Sequence, residues 1–225
     1  MGSEGDIVLS YGDTLLRTSD VSLLNPGHWI NDNLIAFWFE YLERELYKDV
    51  ASAIAFISPQ VAHFIKSGAS NHYNIEEIRF MLESSKLSEK QLILLPINDC
   101  ITYDTCGGSH WSLLTYKASN QSFEHYDSYT GSINRTHAEQ LVTVLSPFLT
   151  PGREIDLDLD LSEMECTQQM NGYDCGIHVI CNADAVCRKL FRGDESAIYE
   201  IASESVIKEA RRKILRIIYD LQKNQ

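Results

Sequence analysis

No stretch of this 225-residue sequence approaches the roughly 20 consecutive apolar residues of a membrane-spanning helix. Nor does the N-terminus carry the apolar stretch of a secretory signal. Met1-Gly2 begins like an acylation site, but Asp6 stands where that motif wants Ser or Thr. Basic residues are scarce: 19 Lys and Arg face 32 Asp and Glu, a formal net charge of -13. Phosphate recognition rests on clustered Lys and Arg, so this balance argues against nucleic acid and anionic membranes as partners. It suits a partner with a basic face. G-x-S-x-G, G-x-x-x-x-G-K and G-x-G-x-x-G are all absent, which removes the usual serine-hydrolase, P-loop and dinucleotide signatures. The six cysteines (Cys100, Cys106, Cys166, Cys175, Cys181 and Cys187) are too sparse in a chain this long for a disulfide framework. Reduced thiols in the cytoplasm or nucleus, not a secreted protein, are the expectation, and the sequons at Asn120 and Asn134 are then accidental.

Also missing are internal repeats, low-complexity tracts and any Pro/Gly/Ser linker long enough to separate a pair of domains. We therefore expect one domain over residues 1–225, with 1–6 as a loose tail. Hydrophobic residues at 44% and charged ones at 23% are ordinary globular values. Ile7–Tyr11 reads as a strand. From Asn31, the apolar set Leu34, Phe37, Trp38, Tyr41 and Leu42 predicts a helix capped by Asn31 or Asp32. Ser58-Pro59 starts a second helix, stopped by Gly68. A third begins at Asn74 with Glu77 as capping-box partner.

The middle of the chain changes character. Gln91–Asn98, Ser109–Lys117 and Ser122–Asp127 read as strands, and a helix follows from about Thr136 to Ser146. Glu154–Leu161 alternates apolar with acidic residues, which predicts a strand with one buried and one wet face. Cys175–Phe191 is apolar on nearly every side, a buried helix. Ser205–Leu221 is an amphipathic one. Helices, then strands, then helices predict an α+β fold.

Cys175 is the candidate nucleophile. It follows the Asn171-Gly172 turn and opens the buried helix, where free backbone N–H groups and the helix dipole favour a thiolate. Cys181 and Cys187 suit the alternative reading, small buried apolar residues. A thiol nucleophile needs a base, and the base an orienting group. With a hairpin centred near residue 119, His110 falls opposite residue 128, so Asp127 is within one register step. Taken singly, His110 and Asp127 are equally a loop histidine and a turn former. Gln169 could aim its amide at a developing oxyanion, and spacing alone does not separate it from Gln168. Zinc fits poorly: Cys100, Cys106 and His110 lack a fourth ligand, and Cys175, His178 and Cys181 diverge around their helix. No metal and no other cofactor is expected.

The blocks G-G-S-H-W (107–111), H-Y-D-S (125–128), Q-M-N-G-Y-D-C-G (169–176) and W-I-N-D (29–32) resemble the sentrin-specific, Ulp-type cysteine proteases, which process ubiquitin-like modifiers. L-S-Y-G-D-T-L-L-R (9–17), S-D-V-S-L-L (19–24) and V-I-C-N-A-D-A-V-C (179–187) are most similar to the deneddylase branch. The resemblance implies a papain-like fold, its central sheet mostly antiparallel and flanked by helices. It makes His110 the base, Asp127 its orienter, Cys175 the nucleophile and Gln169 the oxyanion donor. It gives Trp29 and Trp111 the task of covering a tunnel for a Gly-Gly tail, and it puts Asp32 and Asn98 against that tail. Locally, Trp29 could instead staple the helix it precedes, Trp111 pack in its strand, Asp32 cap a helix and Asn98 close a turn. Asp99–Cys106 resembles the branch's flexible loop beside the site. The implied partner is a Nedd-type modifier and its conjugates, such as neddylated cullins, met by a monomer. The alternatives are a SUMO or ubiquitin protease on the same fold, or a catalytically silent modifier-binding module.

Overall fold

The computed structural model describes residues 5–70, 75–101 and 107–224. In chain order the elements are β1 (Ile7–Tyr11), β2 (Thr14–Arg17), α1 (Thr18–Ser22), α2 (Asp32–Tyr41), β3 (Ile54–Phe56), α3 (Pro59–Ser70), α4 (Ile75–Ser84), β4 (Leu92–Asn98), β5 (Trp111–Lys117), β6 (Ser122–Tyr126), α5 (Asn134–Leu149), α6 (Leu157–Asp160), β7 (Leu161–Glu163), α7 (Cys175–Phe191), α8 (Ile198–Ile201) and α9 (Glu204–Gln222). They form two compact units. One holds residues 1–48 and 165–225, the other 49–164.

In the first unit, β1 and β2 form an antiparallel hairpin turned at Gly12, whose φ is +57°. The sequence pattern shows β1 and hides β2, whose four residues are too few to carry a period. Asn31, not Asp32, caps α2, its side chain accepting the Leu34 N–H at 3.2 Å. The residue before that cap is Ile30, and both it and Ile35 are buried. Those are the two positions of a hydrophobic staple, so Trp29, half exposed at 50%, is not the staple residue. Helix α2 packs on α7, and α7 on α9. As its sequence predicts, α7 is buried over most of its surface, from Cys175 to Cys187.

The second unit is built on a five-stranded sheet in the order β3-β4-β5-β6-β7. Its long pairings, β4 with β5 and β5 with β6, are antiparallel; the short edge pairings, β3 with β4 and β6 with β7, are parallel. Ile93, Leu95 and Ile97 of β4, with Leu114, Tyr116 and Phe123 of β5 and β6, form one core with Ala62 and Ile65 of α3, Ile78 and Leu82 of α4, and Leu141 and Leu145 of α5. This is the expected α+β arrangement with a largely antiparallel sheet.

Three local expectations are corrected. Helix α3 does not stop at Gly68 but runs to Ser70. A Cβ on Gly68 would lie 2.4 Å from Ile78 Cδ1, so this glycine admits close packing of α4 and ends nothing. The alternating run before residue 161 is not a strand. Asp156 accepts the Asp158 N–H, Asp160 accepts the Asp156 N–H, both at 3.0 Å, and α6 results. Side-chain caps have overridden the two-residue period, leaving Leu159 76% exposed and Asp160 buried against Arg153. Third, α5 is longer than expected and carries Pro147 within its last turn. The proposed start of α4 at Asn74, the first four residues of the tail and positions 102–106 lie outside the described residues.

Candidate active site

The candidate residues fall into two sets. Cys175, Gln169, Trp29 and Asp32 belong to the first unit, and His110, Asp127, Trp111 and Asn98 to the second.

In the first unit, the turn before α7 is closed by a side chain. Asn171 Oδ1 accepts the N–H groups of Tyr173 and Asp174, both at 3.0 Å, an Asx turn. Gly172 lies outside the left-handed region and so is not what bends the chain. Its carbonyl does something else: it accepts the Trp29 indole N–H at 2.5 Å. The Asp174 carbonyl accepts the His178 N–H at 2.9 Å and begins α7. Cys175 is the first residue of that helix and is buried, among the N–H groups that a helix start leaves without intrahelical partners. The two glutamines now differ. Gln169 donates to the Asn171 carbonyl at 2.8 Å, on the turn that leads to Cys175, whereas Gln168 points back to the Cys166 carbonyl. Asp32 opens α2 and its carboxylate accepts the Asn33 N–H at 3.1 Å. The other helix thiols suit the packing reading. Burial pushes Cys181 up to about 12 and raises Cys187 as well, so neither supplies a thiolate at neutral pH.

In the second unit the predicted base and orienter meet. His110 Nε2 lies 2.7 Å from Asp127 Oδ1, with both side chains largely buried. The hairpin register pairs Leu113 with Tyr126 and Lys117 with Ser122, one step from the expected register. His110 therefore sits just before β5 instead of in it. Asp127 is also the acceptor for the Tyr129 N–H at 2.9 Å and for the Ser132 hydroxyl. Burial alone would raise its carboxyl, but the hydrogen bonds from His110 and Ser132 outweigh that and hold it below the usual carboxylate range. An ionised carboxylate only accepts, so the ring nitrogen facing it carries the proton. The Tyr129 ring meets the imidazole edge-on, with centroids 5.9 Å apart.

Sequence reasoning missed the groups that hold His110 from behind. Asp99 accepts the N–H groups of Ser109 at 2.6 Å and His110 at 3.0 Å, and the Ser109 hydroxyl. Asn98 ends β4 opposite Trp111, and its side chain accepts the Cys100 N–H at 2.8 Å. Gly108, at φ +97°, passes so close that a Cβ would lie 1.9 Å from the Asn98 amide oxygen. Only glycine fits there. Lys66, buried on α3, donates to the carbonyls of Asn98 and Cys100, and burial lowers its amine to about 8. A single lysine in an amphipathic pattern reads as a solvated residue, so no sequence signal marks it. Among the described residues, no group of three or more His, Cys, Asp or Glu is placed to hold a metal ion. Cys106, one of the weighed ligands, lies outside them.

The family model of the Ulp1 protease family, C-terminal catalytic domain, matches residues 28–223. The chain belongs to that family. The match takes in sequence from both units. Sentrin-specific protease 8 of Homo sapiens is 41% identical over 217 residues, covering 96% of this chain and 98% of its own. NEDD8-specific protease 1 of Arabidopsis thaliana is 37% identical over 189 residues, covering 82% of this chain and 77% of its own. In three dimensions, the C-terminal Ulp1 protease domain solved in complex with Smt3, the yeast ortholog of SUMO, matches at a TM-score of 0.66 and 22% identity, covering 98% of this chain and 90% of that one. At that identity the likeness speaks for the fold, which is thus the Ulp1 protease fold. No helix among the described residues of this Ulp1-family chain is long and apolar enough to cross a membrane.

Proposed function

We propose that this Ulp1-family chain is a cysteine protease that cleaves after the C-terminal Gly-Gly of a NEDD8-type modifier, both from precursors and from conjugates. The observation that carries the reading is the 2.7 Å contact between His110 Nε2 and Asp127, within a family of proteases. In the proposed reaction the Cys175 thiolate attacks the carbonyl carbon of the terminal glycine. The tetrahedral intermediate expels the amine, which takes its proton from His110. Water then attacks the thioester and gives one proton to His110, and the C–S bond breaks to release the thiolate and the modifier's carboxylic acid, which loses its proton to solvent. Since Nε2 faces Asp127, His110 exchanges its proton through Nδ1. Gln169, with the Cys175 N–H, is assigned to the oxyanion. Trp29 and Trp111 are assigned to cover the tail, where flat rings admit glycine alone and exclude water; Asp32 and Asn98 are assigned to contact it. The acidic balance of the chain would speed encounter with a basic modifier face.

Relatives that bear the words NEDD8-specific support the branch. The five cysteines among the described residues are free thiols, which supports a reducing compartment, cytoplasm or nucleus, and we place the protein there as a monomer. The test is a panel of fluorogenic reporters carrying the C-termini of NEDD8, SUMO and ubiquitin modifiers. A preference for NEDD8 of at least a hundredfold in kcat/KM is expected. Equal turnover of all three would overturn the branch assignment, and binding without turnover would reveal a silent docking module.

A further inference from the structure

Arg211 of α9 is buried, far along the chain from the candidate nucleophile, and none of the motif blocks includes it. Its guanidinium is nonetheless the meeting point of both segments that carry the first unit's candidate residues. Nε and Nη2 donate to Asp174 Oδ1 at 2.9 and 2.6 Å. Nη2 also reaches the carbonyls of His28 at 2.8 Å and Tyr173 at 3.3 Å. Nη1 donates to the carbonyls of Leu23 at 2.7 Å and Asn25 at 3.4 Å. The cation lies 5.7 Å from the centre of the Tyr173 ring.

The acceptors fall next to the residues that matter. Asp174 immediately precedes Cys175, and His28 immediately precedes Trp29. The other Asp174 oxygen accepts the Asn171 side-chain N–H at 2.8 Å, tying the carboxylate into the turn that delivers the thiol. One planar cation thus binds the segment before Trp29 to the segment before Cys175, while the Trp29 indole closes the same loop through Gly172. Arginine is suited to this because it offers five donors in a fixed plane. A lysine offers three donors on one compact nitrogen, too few and too close together for the five acceptors that Arg211 serves. The cation also neutralises the carboxylate of the residue that immediately precedes Cys175 in the chain.

We infer that Arg211 is a positioning residue that sets Cys175 and Trp29 relative to one another, an inference that rests on the catalytic role proposed for Cys175. The test compares wild type with Arg211→Lys and Asp174→Asn. The readouts are kcat and KM on the NEDD8-type reporter, the rate of Cys175 labelling by iodoacetamide at pH 7, and thermal unfolding. At a temperature where each variant is folded, Arg211→Lys should lose at least thirtyfold in kcat, with KM within threefold, and Cys175 labelling should change at least fivefold. Asp174→Asn removes the charge pair while keeping the side-chain shape, and should lose at least tenfold in kcat even if the lysine variant does not fold. A lower melting temperature with unchanged kcat and labelling would make Arg211 a structural residue only and overturn the inference. Wild type labelled at Cys175 but inert on every reporter would instead defeat the functional reading, and the labelling comparison would still decide the role of Arg211.

Discussion

Cys175→Ala is expected to reduce reporter turnover by more than about 10⁴-fold, below detection, while modifier binding and folding persist. Without the sulfur no thioester forms, and the remaining groups have nothing to activate. The other two thiols of α7 do not substitute. Cys181 and Cys187 lie further along the same helix, and burial raises both well above the range in which a thiol ionises at neutral pH. Folding should survive because the change removes one small atom from a buried position. The cavity cost is on the order of 1 kcal/mol, within the reach of an ordinary domain. Reporter kinetics check the first half of this expectation, and calorimetric binding of the modifier the second. Turnover within a hundredfold of wild type would exclude Cys175 as the nucleophile.

His110→Ala is expected to lower kcat by ~10²–10⁴, the usual contribution of a positioned acid–base group, with a smaller change in KM. The structure also says why this variant should fold. Asp127 would lose the imidazole but keep the Tyr129 N–H and the Ser132 hydroxyl, so its buried carboxylate is not left unpaired. The sign of the pH effect follows from Asp127 itself. Its folded-state carboxyl is held below the ordinary value. The stabilisation it contributes is therefore complete above its unfolded pKa of about 4 and is lost only as pH falls through the lowered value. Asp127→Asn, which keeps the shape but not the charge, should be less damaging than His110→Ala. The reverse order in kcat would contradict the assignment of roles.

Much of the second unit was legible because its strands are long. Leu92–Asn98 and Trp111–Lys117 show apolar runs bounded by turn residues, and a hairpin register follows from two such runs and a short loop. That arithmetic brought His110 to Asp127 within one step. The short strands β2, β3 and β7 were not legible, since three or four residues carry no period. The acidic alternation before residue 161 misled because Asp side chains at 156 and 160 bond their own backbone, which a polarity pattern does not encode. Cys175 was legible as the first residue of a helix with apolar faces all round. Arg211, Asp99 and Lys66 were not, because each works through partners distant in sequence: an arginine 37 residues from its carboxylate, an aspartate reaching across a loop, a lysine reading as solvated. Such residues become visible only when the fold brings their acceptors to them.

The central claim is that one activated thiol, Cys175, accepts a Gly-Gly tail. A NEDD8-type modifier whose C-terminus ends in a thiol-reactive warhead tests it most directly. The protein should form a single covalent adduct, mapped by peptide mass spectrometry to Cys175, absent from Cys175→Ala and slowed at least a hundredfold in His110→Ala. An adduct on a different cysteine, or none under conditions where the modifier binds, would contradict the account.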